Sequence, residues 1–229
     1  MTEISVVIPC YNEEKNIEKC IQKSFSAFEK LGVEGEVIVV DNNSTDKSSE
    51  IAKNSGAKVV FCEAKGYGNA LRCGFENVNG KFIIMGDGDD SYDFSEIPEF
   101  YLEITTKNVD MITGTRLKGT IHKGAMPFLH RYLGTPVLTF ILNLLYKTQI
   151  SDSQCGMRMF KRDCLDKIEF KTTGMEFASE LFVQFAKHNF SIKEIPIHLY
   201  PVHNRKSKLN PIRDGLRHLF YLISALHNT

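Results

Sequence analysis

The chain has 229 residues, 42% of them apolar and 24% charged, which is enough to build one large domain around its own core. Lys plus Arg and Asp plus Glu both total 28, which excludes a nucleic-acid binder of overall basic charge and an acidic disordered chain. The balance is uneven along the chain: 17 basic against 8 acidic side chains follow residue 114, and 11 against 20 precede residue 115, so the first half suits cations and the second anions.

In chain order, ISVVIP (4–9) predicts a first strand, entered without a basic leader or a cleavage site, as expected of a cytosolic chain. GEVIVVD (35–41), AKVVFCE (57–63), KFIIMGD (81–87) and DMITG (110–114) predict four more strands. The first four runs are near-continuously apolar, the pattern of parallel strands covered on both faces. Between them, residues 13–31, 44–55 and 66–78 have helical spacing, with Asn43 or Ser44 as N-cap of the second helix. This predicts right-handed βαβ units, an α/β fold with a mostly parallel central sheet and helices on both faces. The chain is expected to divide into two halves, 1–114 and 115–229, within one continuous domain.

Ligands of such sheets bind beyond the carboxyl ends of the strands. The polar groups there are Tyr11, Asn12 and Glu13; Asp41, Asn42 and Asn43; Glu63 to Tyr67; and Asp87 to Asp93. In GDGDDSYDF, Asp87 and Asp89 flank Gly88, so two carboxylates can share one small volume. Two oxygen donors with positions left open suit Mg²⁺ or Mn²⁺ shared with substrate phosphates. The competing reading is a solvated acidic turn with Asp93 or Ser95 capping the next helix. No Walker-type phosphate loop is present, and no G-x-G-x-x-G follows the first strand. The six cysteines form no CxxC pair in a chain too large to need disulfide staples, so reduced thiols are expected. The seven histidines have no metal-ligand spacing, and His198 and His203 flank a strand end.

Taken together, VVIPCYNEE, VIVVDNNSTD, AKGYGNAL, GDGDDSYDFSEIP, ITGTR, SDSQCGMRMFKRD, GMEFASEL and IKEIPI, in this order over nearly the whole chain, resemble the inverting family-two glycosyltransferases of GT-A fold. The similarity is greatest to the branch of dolichyl-phosphate and polyprenyl-phosphate sugar synthases. The resemblance implies that Pro9, Tyr11 and Glu13 line a nucleotide pocket, that Asp41 contacts the base and that Asp46 supports the same loop. It implies further that Lys65, Gly66 and Gly68 approach the ribose or sugar phosphate, that Asp87 and Asp89 hold the metal, and that Arg116 lies near sugar or acceptor. Side-chain chemistry agrees: carboxylates accept from base N–H groups and ribose hydroxyls, glycines admit close approach, and Lys and Arg neutralise phosphate. Bland roles stand beside these: helix starts, turns and surface charges.

In the second half, GMEFASEL sets Glu176 and Glu180 four apart on one helix face. A hydroxyl acceptor needs a general base, whereas a phosphate monoester is already ionised, so with a lipid phosphate these glutamates would orient sugar hydroxyls; a salt-bridged helix face is the third reading. HNRKSKLNPIRDGLRHL resembles the Arg…Ser-Lys-Leu segment that closes over phosphates in polyprenyl-phosphate synthases, without the glycine usual between Arg and Ser. Arg205 and Lys208, with Arg158, form the expected phosphate clamp. Ile212, Leu216, Leu219, Phe220, Ile223 and Leu226 recur at helical spacing, and MPFLHRYLGTPVLTFILNLLY carries a similar apolar excess. Neither reaches the ~20 residues of a membrane span, and both suit the headgroup region of a membrane. Trp is absent, which excludes the Q-x-x-R-W motif of processive synthases.

The expectation is a metal-dependent inverting hexosyltransferase using a UDP- or GDP-linked sugar and a polyprenyl phosphate acceptor. It would work with Mg²⁺ or Mn²⁺, peripherally on the cytoplasmic face of the membrane, with no nucleic-acid partner. The alternatives are transfer to a sugar or protein hydroxyl, and a non-catalytic nucleotide-sugar-binding partner of a membrane subunit.

Overall fold

The computed structural model describes residues 2–202 and 211–226. Its elements run β1 (Ile4–Cys10), α1 (Ile17–Leu31), β2 (Gly35–Asp41), α2 (Ser48–Asn54), β3 (Lys58–Phe61), α3 (Tyr67–Phe75), β4 (Phe82–Met85), α4 (Ile97–Lys107), β5 (Met111–Ile121), α5 (Thr135–Tyr146), β6 (Arg158–Lys161), α6 (Phe177–Lys187), β7 (Ile192–Leu199) and α7 (Pro211–Ser224). The strands form one seven-stranded sheet in the order β3-β2-β1-β4-β6-β5-β7. β1 pairs in parallel with β2 and β4, β2 with β3, and β5 with β7. β6 runs antiparallel between β4 and β5.

The alternation of β1 divides the core in two. Ile4, Val6 and Ile8 face a layer containing Ile17, Cys20 and Ile21 of α1 together with Phe100 and Ile104 of α4. Val7 faces the opposite layer, with Leu71 and Phe75 of α3 and Phe177, Leu181 and Phe182 of α6. Burial on both faces is why these strands read as unbroken apolar runs. It also confines polar side chains to the strand ends.

Two helices begin later than their periodicity suggests. α1 starts at Ile17 because the Glu13 carbonyl accepts from the Asn16 and Ile17 N–H groups, which closes a turn first. α2 starts at Ser48 because Asp41 and Asp46 occupy the preceding turn with side-chain bonds; neither Asn43 nor Ser44 caps it. β5 outruns its predicted end by seven residues, to Ile121, through an irregular pairing with β7 between Thr115 and Thr120.

The last helix turns a face inward that its apolar spacing does not single out. Asp214, His218, Leu222 and Ala225 are buried, while Leu216, Phe220 and Ile223 stand exposed. α7 is anchored by His218 Nδ1 against Ser179 Oγ at 2.7 Å, by the Tyr146 hydroxyl on the Leu222 carbonyl at 2.7 Å and by Lys187 Nζ on the Ala225 carbonyl at 2.5 Å. Among the described residues no helix is long and apolar enough to cross a membrane.

Five of the six cysteines are buried and Cys73 is half-buried. Burial pushes the thiol of Cys10 up to about 11 and those of Cys155 and Cys164 up to about 12. They behave as small apolar residues rather than nucleophiles.

Burial also pushes the His218 imidazole down from 6.5 to about 4, outweighing Glu176 and Asp214 nearby. The unfolded chain therefore takes up this proton first as pH falls, and stability is lost between about pH 6.5 and 4. At about 1.4 kcal/mol per tenfold change in proton affinity, the loss is on the order of 3 kcal/mol. Thermal melts across that window are expected to fall less steeply for His218→Asn, which keeps a hydrogen-bonding side chain and cannot titrate.

Candidate active site

The ends of β1, β2 and β4 open onto one rim, and side chain to backbone bonds stitch its loops together. Asn12 N donates to Ser44 Oγ at 3.0 Å, and Thr45 N returns a bond to Asn12 Oδ1 at 2.8 Å. Glu13 N donates to Ser48 Oγ at 2.7 Å, and Glu14 N to Asp46 Oδ2 at 3.2 Å. Asp46 also accepts from the Ser48 N–H and hydroxyl. Burial raises the Asp46 carboxyl, but the Ser48 hydroxyl and these N–H groups bring it below the usual range. Asp46 thus ties the turn before α2 to the loop after β1. Asp41, nearly buried, accepts from Ser44 N at 2.8 Å and from the Ser49 hydroxyl. It shapes its own turn at the rim. Pro9 is half-buried at the end of β1, Glu13 is buried, and Tyr11 is exposed at the rim.

Asn42 and Asn43 carry a role their sequence positions did not reveal. Asn42 Nδ2 donates to the Cys62 and Ala64 carbonyls and its Oδ1 accepts from Gly66 N at 2.7 Å, while Asn43 Nδ2 donates to the Cys62 and Glu63 carbonyls. They lash the 62–66 loop to the end of β2. The signal was the Asn pair itself, since an amide can donate and accept at once.

Gly66 and Gly68 do admit a close approach, but the neighbour is the chain's own backbone. A Cβ on Gly66, which has φ +137, would lie 2.2 Å from the Thr173 carbonyl oxygen, and one on Gly68 would lie 2.6 Å from that of Thr172. The Thr173 carbonyl accepts from the Gly68 and Asn69 N–H groups, so the start of α3 is capped from the second half of the chain. The close approach at these two glycines is thus to the chain's own backbone. Lys65 is exposed beside them.

The four aspartates of the acidic elbow divide their work. Asp90 and Asp93 both pair with Lys23, at 2.7 and 3.3 Å. Asp93 also accepts from Ser95 N at 3.1 Å and caps the short 3₁₀ turn 94–96, which satisfies the capping reading for that residue. Asp87 takes the Tyr67 hydroxyl at 3.0 Å, and Asp89 takes the Ser91 N–H and hydroxyl. The backbone at Gly156 packs against Asp87, where a Cβ would lie 3.0 Å from Oδ2, and Gly156 N donates to the Tyr92 hydroxyl at 2.9 Å. Among the described residues no group of three or more His, Cys, Asp or Glu is arranged to hold a metal alone. Two half-buried carboxylates fit a hard divalent cation that takes its other oxygens from a diphosphate and water.

Arg116 sits at the same end of the sheet. Its Nε and Nη2 bond Asp152 at 2.7 and 2.8 Å, and its backbone N–H donates to the same carboxylate. Burial raises the Asp152 carboxyl, but the bidentate guanidinium brings it below the usual range.

Two expected contacts with the acceptor are corrected. Arg158 is fully buried and donates to the carbonyls of Cys155, Ala178 and Ser153, with its guanidinium 4.2 Å over the Phe182 ring. It braces the 153–156 loop on α6 and does not reach a phosphate. Glu180 is also fully buried and accepts from Lys171 N, Thr172 N and the Thr172 hydroxyl. It holds the loop that covers α3. Glu176 lies just before α6, with Oε1 accepting from Arg217 Nη2 at 2.6 Å and from Gly174 N at 3.1 Å. Arg205 and Lys208 lie outside the described residues.

The layout is that of the GT-A glycosyltransferases, a mixed sheet with its ligand-binding loops at one rim. A model of glycosyl transferase family 2 matches residues 5–169. The chain is 42% identical over 223 residues to the low-salt glycan biosynthesis hexosyltransferase Agl6 of Haloferax volcanii, spanning 97% of this chain and 54% of that relative. It is 31% identical over 218 residues to a dolichyl-phosphate hexose transferase of the same organism, spanning 93% and 89% of the two chains. Glucosyl-3-phosphoglycerate synthase from Mycobacterium tuberculosis, solved with Mn²⁺, UDP and glucosyl-3-phosphoglycerate, superposes with a TM-score of 0.77 at 21% identity, covering 98% of this chain and 80% of that one. This chain belongs to glycosyl transferase family 2.

Glu180→Ala is expected to leave the Lys171 and Thr172 N–H groups without their acceptor and to cost roughly 2–4 kcal/mol, summed over groups at about 1–3 kcal/mol each. Glu180→Gln, which retains one acceptor oxygen, is expected to cost less. Urea titrations of the two variants measure the difference.

Proposed function

We propose that this chain moves a hexose, with inversion, from a nucleoside-diphosphate sugar to a polyprenyl phosphate presented at a membrane surface. The observation that carries the donor half is the placing of Asp87 and Asp89, whose half-buried carboxylates are oriented by hydroxyl and N–H donors on either side of Gly88, while Asp90 and Asp93 pair with Lys23 beside them. In this reading Asp87 and Asp89 hold Mg²⁺ or Mn²⁺, and the ion supplies positive charge against the departing diphosphate. The relative solved with Mn²⁺ and UDP supports the same donor chemistry.

The chain's own groups do the rest by positioning. Pro9, Tyr11 and Glu13 with the Asp41 turn form the wall for the nucleoside, and Asp46 keeps that wall in register. Lys65 stands at the open edge of the 62–66 loop and attracts the diphosphate, and Arg116, clamped by Asp152, faces the sugar side. Arg205 and Lys208 supply the charge for an acceptor phosphate.

Support for a lipid acceptor comes from the surface of the second half. Phe128, Phe140 and Leu144 before and along α5, and Leu216, Phe220 and Ile223 on α7, are all about half to three-quarters exposed. Residues 117–151 contain four Lys or Arg and no Asp or Glu. An apolar face amid basic charge suits the interface of an anionic membrane. The relative named dolichyl-phosphate hexose transferase points to the same acceptor class.

A second reading is transfer to a hydroxyl, with Glu176 as base. Burial raises its carboxyl, but its own backbone N–H, Arg217 and Gly174 N bring it below the usual range, so it is ionised near neutral pH. Turnover on hydroxyl acceptors but not on polyprenyl phosphate selects that reading.

Melting curves with UDP- and GDP-sugars, with and without Mn²⁺, test the donor assignment. A donor at a hundredfold excess over its Kd is expected to add about 2.7 kcal/mol, roughly 5–10 °C for a domain of this size. Asp89→Ala is expected to abolish transfer and the metal-dependent part of the shift. A fully active variant overturns the metal assignment.

A further inference from the structure

Asp87 and Asp89 are engaged in the same way. Asp87 accepts the Tyr67 hydroxyl on Oδ1 at 3.0 Å. Asp89 accepts both the N–H and the hydroxyl of Ser91 on its own Oδ1, at 3.1 and 2.5 Å. One oxygen of each carboxylate therefore already serves a donor.

These donors are themselves fixed, so they cannot follow a carboxylate that turns. Tyr67 opens α3, and the backbone on either side of it is held by Gly66 N on Asn42 Oδ1 at 2.7 Å and by Gly68 N and Asn69 N on the Thr173 carbonyl. Ser91 is buried, its carbonyl accepts from Tyr200 N at 2.9 Å, and the next residue, Tyr92, bridges to Leu199 of β7. Asp87 also meets the backbone of Gly156, where a Cβ would lie 3.0 Å from Oδ2. Bringing both oxygens of either aspartate onto one ion would strain or break these hydrogen bonds. The neighbouring carboxylates are occupied as well, since Asp90 and Asp93 pair with Lys23 at 2.7 and 3.3 Å.

Divalent cations differ in what they ask of a carboxylate. Ca²⁺ gathers about six to eight oxygens in a flexible arrangement and readily takes a carboxylate through both of its oxygens. Mg²⁺ demands a near-regular octahedron, which a two-oxygen bite distorts, and Mn²⁺ shares its preference for six oxygens. We propose that Tyr67 and Ser91 set the metal preference of this site: by engaging one oxygen of each aspartate they restrict both to one-oxygen coordination, which suits Mg²⁺ or Mn²⁺ and disfavours Ca²⁺. This rests on the reading above that Asp87 and Asp89 hold the ion. Groups that hydrogen-bond to a metal's ligands commonly change its affinity about 10- to 100-fold, enough to set such a preference.

The test is calorimetric titration of the whole chain with Mn²⁺ and with Ca²⁺, each in the presence of UDP or GDP. The unmodified protein is expected to bind Mn²⁺ at least about tenfold more tightly than Ca²⁺. Tyr67→Phe is expected to narrow that ratio about tenfold, chiefly through tighter Ca²⁺ binding. Ser91→Ala, which keeps the backbone donor, is expected to narrow it about threefold. Were the two hydroxyls only braces of the fold, both ions would weaken together and the ratio would hold. A ratio unchanged or widened in Tyr67→Phe, or equal binding of the two ions by the unmodified protein, overturns the proposal while the metal assignment stands. Should Tyr67→Phe not fold, the ratio in Ser91→Ala decides in the same way. Absence of Mn²⁺ binding to the unmodified protein with either nucleotide, or full Mn²⁺ binding by Asp89→Ala, overturns the metal assignment and this role with it.

Discussion

A sheet covered on both faces leaves its polar chemistry nowhere to go but the strand ends. β1 spends alternate residues on the two halves of the core, and its neighbours β2 and β4 are equally dry. Buried backbone already has its partners in the ladders. Each strand therefore delivers its first polar side chains to the same rim, and Asp41 and Asp87 arrive there because no earlier position could accept them. The same pressure makes the rim rigid, since loops leaving a dry sheet must satisfy their own N–H groups. They do so with side chains such as Asn12, Asn42, Asp46 and Ser48.

The second half of the chain completes the site by covering the first. β6 enters antiparallel between β4 and β5 and brings the 152–156 loop beside Asp87, where Gly156 and Tyr92 close the contact. The Thr173 carbonyl caps α3, and buried Glu180 holds the backbone just before it through the Lys171 and Thr172 N–H groups. Two charged residues that appear suited to an acceptor, Arg158 and Glu180, are instead the internal struts of this cover. Buried charges with all their hydrogen bonds satisfied cost less than their burial alone suggests.

The sequence made the first five strands and three helices legible because burial on both faces writes itself as continuous apolar runs. It made the acidic elbow legible because so dense a cluster of aspartates after a strand needs a reason. It did not reveal β6, a four-residue strand with an arginine at its head. Charge also says nothing about direction: the carboxylates of Asp41 and Asp46 suit a base or a ribose, and they suit backbone N–H groups of their own turn equally well. Gly66 and Gly68 present the same ambiguity, since close approach is required whether the neighbour is a phosphate or the Thr173 carbonyl. On α7 the apolar spacing marks Leu216, Phe220 and Ile223, yet the inner face is Asp214, His218 and Leu222, because the neighbours that satisfy it, such as Ser179, are distant in sequence.

The sequestered thiols make the fold its own clock. Cys10 ends β1 and Cys155 lies in the loop beside Asp87, and burial holds both in the protonated, unreactive form. An alkylating reagent would reach them only during openings of the rim. The rate of uptake at these two positions, set apart from that at half-buried Cys73, therefore reports how often the rim opens, without any label having to be introduced.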